Sequence, residues 1–307
     1  MCGAISGYWK LSKKYGLIKA IKYFYSWYYG QYKQKGVDLG SERIIDAKNG
    51  CKLHLIPNDP GISLELTRFG IHEPVTTQIV QEKIKKGMVC LDCGGNIGYY
   101  ATLESNLVGK EGRVIAIEPS PVNFQYLQKN LELQGQENYE VYNLACGKED
   151  DEITFVIHKI SNMCRVAHEN EQESEDKKLV KIPMRKLDTF LSDKKIDRLD
   201  LLRMDIEGSE LKLFQGALET LRKFKPMIQM ELHPGHLGPE NTKKVLELLS
   251  NEGYEFSTFM IGYLDTPLVG TKRDIKNYKI KDLIRMIDED IHPKNILLFL
   301  ENTKTKN

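Results

Sequence analysis

The chain has 307 residues, which is long enough for one large domain and a smaller appendage. A chain of this length does not need disulfides or structural metals for stability. Hydrophobic residues make up 41% and charged residues 28%, and the net charge of +1 gives no sign of a nucleic-acid partner. No apolar run approaches the roughly 20 residues that cross a bilayer, the first residues lack the apolar core of a signal peptide, and the six cysteines show no secreted spacing. We therefore expect a cytoplasmic protein.

Residues 1–40 differ in composition from the rest of the chain. They carry seven lysines and ten aromatic residues but one acid, Asp38. Basic and aromatic residues together suit a helix that lies on anionic lipid, so residues 8–35 predict a peripheral membrane contact. The alternative is a helix that packs on the domain with its lysines in solvent, and the sequence leaves both open. We divide the chain into an N-terminal extension, 1–70, and a main domain, 71–307.

The predicted elements begin with a hairpin and a helix. Residues 42–56 alternate in polarity around Asn49-Gly50, which predicts a β-hairpin. Pro74 begins a helix over 74–86. Strands and helices then alternate: strand 88–92, helix to about 108, strand 113–118, helix 120–134 and strand 139–145.

The second half of the chain changes pattern and then resumes the alternation. Strands are predicted at 152–157 and 179–184, around a polar loop at 161–178. The later elements are strand 199–205, a helix from about 209, strand 226–232, helix 240–251, strand 254–261, an insertion at 262–290 with a helix near 280–289, and strand 295–301. Because the strands are nearly all apolar and alternate with helices, they predict an α/β fold with a doubly wound, mostly parallel sheet.

The turn after strand 88–92 runs from Asp92 to Gly98 and reads Asp-Cys-Gly-Gly-Asn-Ile-Gly. Glycines at a strand end let the backbone approach a ligand closely, but the register differs from the dinucleotide-binding G-x-G-x-x-G and from a triphosphate-binding loop. Glu118 closes the next strand, where an acid can accept both ribose hydroxyls of an adenosine. An adenosine without a pyrophosphate, beside an acid that favours a cation, describes S-adenosylmethionine.

The motifs together resemble the FkbM family of S-adenosylmethionine-dependent methyltransferases. The matching segments are HEPVTTQIV (72–80), VCLDCGGNIGYYATL (89–103), VIAIEPSPVNFQYLQKNL (114–131), NLACGKED (143–150), RKLDTFL (185–191), LLRMDIEGSELKLFQGA (201–217) and PMIQMELHP (226–234). Gly95 stands where the family usually has alanine. The resemblance implies a Rossmann-like class I methyltransferase fold whose last strand, 295–301, runs antiparallel. It also implies methyl transfer, most often to a hydroxyl of a sugar or natural product.

The candidate cofactor residues follow three strand ends. We expect the glycine turn to surround the amino-acid end and sulfonium of the cofactor, the second strand end to hold the ribose, and the third to approach the adenine. The residues are Asp92, Gly94, Gly95, Asn96 and Gly98 for the first group, Glu118, Pro119 and Ser120 for the second, and Asn143, Leu144 and Ala145 for the third.

The candidate catalytic residues are acids and a histidine at the next two strand ends, where an acceptor hydroxyl would need a base. Asp205 lies nearest the transferred methyl in this fold class and also contributes to the cofactor site. The others are Glu207, Glu231 and His233, and His233 could instead be a solvated loop residue. Asp205, Glu207 and Glu231 could alternatively hold one Mg²⁺, although their spacing does not require a metal. Glu210 is interpreted as a charge in the first turn of a helix.

The acceptor is less defined than the cofactor. We expect a small molecule or glycan, lipid-linked if the N-terminal segment contacts a membrane, with Glu73 and Asn162 as candidate lining residues. Two other functions compete with methyl transfer. They are a nicotinamide-dependent oxidoreductase, which the glycine register disfavours, and a non-catalytic binding module that retains the methyltransferase fold.

Overall fold

The computed structural model describes residues 39–261, 265, 278–290 and 295–303. The predicted membrane-facing helix at 8–35 and much of the insertion at 262–290 lie outside these residues. Among the helices that are described, none is long and apolar enough to cross a membrane.

Strands and helices alternate through most of the described chain, as the sequence predicts. The strands are β1 (Arg43–Asp46), β2 (Lys52–Leu55), β3 (Val89–Cys93), β4 (Arg113–Ile117), β5 (Tyr139–Tyr142), β6 (Ala145–Gly147), β7 (Asp151–His158), β8 (Arg165–Val166), β9 (Lys177–Lys186), β10 (Leu201–Met204), β11 (Met227–Leu232), β12 (Tyr254–Ile261) and β13 (Ile296–Asn302). The α-helices are α1 (Ile62–Phe69), α2 (Pro74–Lys83), α3 (Tyr99–Val108), α4 (Pro121–Leu133), α5 (Leu187–Asp193), α6 (Glu210–Gln215), α7 (Leu218–Phe224), α8 (Pro234–Leu237), α9 (Pro239–Asn251) and α10 (Ile280–Asp288).

The main sheet has seven strands in the order β12-β13-β11-β10-β3-β4-β5. The five adjacent strands β11, β10, β3, β4 and β5 run parallel to one another. The last strand, β13, pairs antiparallel with both β11 and β12. This order, with one antiparallel strand inserted near the edge, is the Rossmann-like class I methyltransferase topology that the resemblance implies.

The sheet separates two large apolar clusters, because successive residues of a strand point to opposite faces. Leu91 and Ile115 pack into one cluster with the later helices, whereas Cys90 and Val114 pack into the other with α3 and α4. Burial on both faces explains why the central strands are mostly apolar. It also fixes the strand ends, and therefore the site, on a rigid frame.

The predicted strand 139–145 is wrong in one respect, because it is two strands in two sheets. The chain leaves the main sheet after Tyr142, and β6 enters a second sheet with the order β6-β9-β7-β8. The strands predicted at 152–157 and 179–184 are confirmed as β7 and β9 of this sheet. The second sheet lies beside the carboxyl ends of the main strands, where it can form one side of a cleft.

The predicted hairpin is confirmed as β1 and β2, which pair antiparallel around Gly50. Helix α1, which follows it, is absent from the sequence prediction. Leu53, Ile62 and Leu66 join the apolar cluster that also contains residues of α3 and α4. The described part of the N-terminal extension therefore shares a core with the main domain, and the division at residue 70 stays a prediction.

Candidate active site

The glycine turn joins β3 to α3 directly over the end of β4. The amides of Gly94 and Gly95 donate to the Ile117 carbonyl at 2.8 and 3.0 Å. Gly94 has φ +84°, and a Cβ there would collide with the backbone oxygen of Asp205. Gly98 caps α3 with φ +87°. The turn needs glycine at these two positions because the backbone is left-handed at both and closely packed.

Glu118 lies at the end of β4, beneath the glycine turn. It is buried, and its two carboxylate oxygens accept hydrogen bonds from the amides of Asn96 and Ser120, each at 2.8 Å. Burial raises the pKa of Glu118 to about 7, and the two amides oppose this shift. The carboxylate is therefore oriented by the backbone before a ligand binds.

The adjacent strand end supports this carboxylate. Asn143 follows β5 and donates from Nδ2 to the carbonyls of Glu118 and Pro119, at 2.8 and 2.9 Å. Ser120 is the N-cap of α4 and accepts from the Asn123 amide. Asn143 and Ser120 thus fix the Glu118–Pro119 turn, and neither lines the cleft described next.

A cleft opens between the main strand ends and the second sheet. Its volume, which includes space continuous with solvent, is about 560 Å³. Its lining residues are Gly94, Asn96, Glu118, Pro119, Asn123, Ala145, Cys146, Phe155, Ser161, Asn162, Cys164, Arg165, Val166, Asp205, Ile206, Glu207 and Ser209. The predicted cofactor residues Gly94, Asn96, Glu118, Pro119 and Ala145 thus converge on one cleft, with Asp205, Glu207 and Asn162.

Asp92 occupies a different position from the other predicted cofactor residues. It is fully buried beneath the turn, and its Oδ1 accepts from Arg203 Nη1 at 2.6 Å. The Arg203 guanidinium lies 4.1 Å from the centre of the Tyr100 ring. The cation that Asp92 faces in this structure is therefore a neighbouring strand's arginine, and Asp92 does not line the cleft. Gly95 and Leu144 also lie outside the lining.

The catalytic candidates gather where β10 and β11 end. His233 follows β11 and is only 1% exposed, so the alternative of a solvated loop histidine is wrong. Its Nδ1 is 2.8 Å from Glu210 Oε1, and its Nε2 faces Asp205 Oδ1 at 3.8 Å, Glu207 Oε2 at 3.5 Å and Glu231 Oε1 at 3.7 Å. All four predicted catalytic residues therefore meet around one imidazole nitrogen.

The local backbone brings Glu207 to this position. Glu207 and Gly208 have φ of +47° and +96°, so the chain reverses sharply before α6 begins. The Gly208 amide donates to Glu210 Oε1 at 3.1 Å. A left-handed non-glycine residue is uncommon and is held by its surroundings, as at many functional sites.

The charges of this cluster influence one another strongly. Burial raises the pKa of Glu207 to about 7, with His233 opposing and Asp205 adding to the shift. Burial, together with Asp205, raises the pKa of Glu231 to about 8. Burial lowers the pKa of His233, but Glu231, Glu210 and Glu207 outweigh it and raise that pKa well above 6.5. Such mutual shifts are typical of catalytic and ion-binding sites.

The two candidate acceptor residues differ in whether they line the cleft. Asn162 lines the cleft from the 3₁₀ turn Ser161–Met163. Glu73 precedes α2 with φ +41° and accepts a hydrogen bond from the Tyr100 hydroxyl at 2.7 Å. Glu73 is not part of the cleft lining, and both roles stay predictions.

Two residues make contacts that the sequence does not predict. Glu210 lies in the first helical turn, as predicted, but it is fully buried and orients His233. Arg203 is the single charged residue of the otherwise apolar strand β10. A lone charge in a strand that is predicted to be buried is the feature that could have indicated a buried ion pair. The Glu210–His233 pair spans 23 residues, and only the fold brings it together.

The sequence is similar to those of known methyltransferases. Residues 92–256, more than half of the chain, match the family described as the methyltransferase FkbM domain. Methyltransferase 1 of Beauveria bassiana (strain ARSEF 2860) is 29% identical over 142 residues, which cover 41% of this chain and 57% of that protein. Methyltransferase sdnD of Sordaria araneosa is 24% identical over 196 residues, which cover 54% of this chain and 73% of that protein.

A solved structure is also similar. It is the FkbM methyltransferase from Methylobacillus flagellatus KT, at 22% identity and a TM-score of 0.38, with 54% of this chain and 37% of that chain covered. The family match decides against a nicotinamide-dependent oxidoreductase. The chain belongs to the FkbM family of methyltransferases, as its motifs indicate.

Proposed function

We propose that the protein transfers the methyl group of S-adenosylmethionine to a hydroxyl of a sugar, glycan or related natural product. The observation that carries this proposal is the cluster around His233, which opens onto the cleft through Asp205 and Glu207. An alcohol needs a base to take its proton as the new bond forms. Carboxylates beside the cofactor cleft supply one.

The cleft offers the contacts that the cofactor needs. Glu118 presents a carboxylate fixed by two amides, and each oxygen keeps a lone pair for a ribose hydroxyl. Gly94 and Asn96 line the same cleft, where the turn can approach the amino-acid end. Ala145 and Phe155, on the second sheet, offer apolar surface to the adenine.

The reaction is an in-line displacement. The acceptor oxygen forms a bond to the methyl carbon, the carbon–sulfur bond breaks with its electron pair on sulfur, and S-adenosylhomocysteine leaves. We assign the acceptor's proton to Glu207, because its carboxylate lines the cleft whereas His233 is buried behind it. Glu210 and His233 hold the cluster in position, and orientation of the reactants supplies much of the rate.

The first test is titration of the protein with S-adenosylhomocysteine by calorimetry. We expect micromolar binding to the wild type, and a loss of about a hundredfold in Glu118→Ala, because two hydrogen bonds to a charged group are removed. Glu137→Ala is the matched control, since Glu137 is exposed on the loop before β5. Absence of binding to the folded wild type would contradict the cofactor assignment.

The second test identifies the bond that is made. Hydroxylated sugars and natural products are incubated with methyl-labelled S-adenosylmethionine, and the labelled product is treated with alkali. A methyl ether keeps its label, whereas a methyl ester loses it. Label that alkali removes would mark a methyl ester, and it would overturn methylation of a hydroxyl while leaving methyl transfer in place.

We also propose that the acceptor is presented at a membrane. The support is the composition of residues 8–35, which lie outside the described structure. Co-sedimentation of the full-length protein with anionic and neutral vesicles tests this proposal. Equal recovery with both, at low salt, would overturn it.

A further inference from the structure

His233 Nε2 has an unusual environment for a buried polar atom. It is enclosed and has no hydrogen-bond partner among the described residues, although three carboxylate oxygens surround it at 3.5 to 3.8 Å. An N–H···O hydrogen bond is usually about 2.7–3.2 Å long. Asp205 Oδ1 is likewise buried without a hydrogen-bond partner in this part of the chain. These atoms face a common point but form no hydrogen bonds with one another.

Three of these ligand atoms lie close enough together to share a cation. Single ligand atoms of Asp205, Glu231 and His233 all lie within 4.8 Å of one another. Metal–ligand bonds of about 2.0–2.2 Å place neighbouring ligand atoms about 3–4 Å apart. The contacts behind the ligands also fit a metal site, because His233 Nδ1 is held by Glu210 and Glu231 Oε1 accepts from Asn295 Nδ2 at 3.0 Å.

We propose that Asp205, Glu231 and His233 bind a divalent transition-metal cation, of which Mn²⁺ and Zn²⁺ are the representatives tested below. Imidazole nitrogen suits these ions, whereas Mg²⁺ prefers oxygen ligands and retains its waters. This proposal differs in both the metal and the ligand set from the Mg²⁺ alternative at Asp205, Glu207 and Glu231. Glu207, which lines the cleft, stays available to take the acceptor's proton.

The cation would serve the reaction that we propose, and the inference rests on that function. Asp205 is both a ligand and a lining residue, so the ion lies at the edge of the cleft. There it can bind an oxygen of the acceptor and make its hydroxyl easier to deprotonate. The ion would also balance the carboxylates that converge on a single histidine.

The first experiment measures metal binding by the full-length protein without any acceptor. Chelator-treated protein is titrated with Mn²⁺, Zn²⁺ and Mg²⁺ at neutral pH, and bound metal is counted by equilibrium dialysis. We expect one Mn²⁺ or Zn²⁺ per chain and weaker binding of Mg²⁺. Glu231→Gln should weaken Mn²⁺ binding about a hundredfold, whereas Glu247→Gln, the same change on the exposed face of α9, should leave it unchanged.

The second experiment tests the nitrogen ligand. Electron spin echo measurements on the Mn²⁺-loaded protein should show modulation from one ¹⁴N nucleus, which disappears in His233→Gln. Circular dichroism checks that this variant folds, and the Glu231→Gln titration stands independently of it. Failure of Mn²⁺ and Zn²⁺ to bind at millimolar concentrations, equal Mn²⁺ affinity in Glu231→Gln, or absence of ¹⁴N modulation would each overturn the inference.

Titration of the metal-free protein with S-adenosylhomocysteine separates the two proposals. Cofactor binding without metal binding overturns the metal site and leaves the proposed function standing. Metal binding without cofactor binding, in turn, keeps the ion site and overturns the proposed cofactor.

Discussion

Glu118 and Asp92 are both acids at the ends of neighbouring strands, yet they have different surroundings. Glu118 lines the cleft with its oxygens oriented by the amides of Asn96 and Ser120. Asp92 is fully buried and paired with Arg203. Removing one partner of such a buried pair costs about 3–5 kcal/mol of folding free energy. A loss of cofactor binding in Asp92→Ala could therefore result from unfolding alone. Glu118 is the residue at which cofactor binding can be tested cleanly.

The affinity for S-adenosylhomocysteine should depend on pH through Glu118. Its pKa is raised to about 7, and the ribose hydroxyls donate to the ionised form. Binding should therefore strengthen as the pH rises through 7 and level off above it, and at pH 6 it should be about tenfold weaker than the plateau. Calorimetric titrations across this range measure the effect.

The Glu118→Ala variant is the control for this pH profile. Its weaker binding should be independent of pH over the same range, because the titrating carboxylate is gone. A wild-type affinity that stays constant between pH 6 and pH 8 would contradict the assignment of Glu118 to the ribose.

At the scale of elements, the turn between β3 and α3 is set by contacts with other strand ends. Gly94 meets the backbone of Asp205, which follows β10, and the amides of Gly94 and Gly95 bond to the end of β4. The sequence predicts the turn from its glycines, but it does not show which glycine is indispensable. The backbone angles answer that, because Gly94 is left-handed and Gly95 is not.

Two alanine substitutions in this turn should have opposite effects. Gly94→Ala should lower the free energy of unfolding by about 3 kcal/mol and abolish cofactor binding, because its Cβ meets the Asp205 backbone at a strained φ. Gly95→Ala should raise it by about 0.5 kcal/mol, because its Cβ makes ordinary contacts with Leu127 at 3.4 Å and the unfolded chain loses freedom. Urea denaturation measures both.

Gly95→Ala is also the matched control, since it adds the same methyl one position along the chain. Its cofactor affinity should equal that of the wild type. Loss of binding in both variants would mean that the turn tolerates no side chain, and would contradict the geometry described here.

At the scale of the whole molecule, the cleft depends on a link between the N-terminal segment and the second sheet. Asp59 is buried and accepts hydrogen bonds from the amides of Gly61, Ser63 and Ser161 and from the Ser161 hydroxyl, at 2.8 to 3.0 Å. Ser161 and its neighbour Asn162 line the cleft. One carboxylate thus fixes the start of α1 to the wall of the site.

Asp59→Ala should therefore weaken both the fold and the site. Four donors lose their acceptor, which should lower the free energy of unfolding by about 3 kcal/mol, and affinity for S-adenosylhomocysteine should fall because the wall loosens. Urea denaturation and calorimetry measure these effects. Asp46→Ala, on the exposed edge of β1, is the control and should change neither. If Asp59→Ala bound S-adenosylhomocysteine as tightly as the wild type, the N-terminal segment would not contribute to the site.

The sequence alone determined the alternation of strands and helices, the glycine turn and the acids at strand ends, because local periodicity and turn chemistry encode these features. It also identified the family. The tertiary structure decided which acids face the cleft, that Glu210 orients His233, and that residues 145–147 leave the main sheet for a second one. Burial and the pairing of groups distant in sequence decide those outcomes. A carboxylate paired with arginine and one that lines a cleft look alike in a sequence until the fold supplies their neighbours.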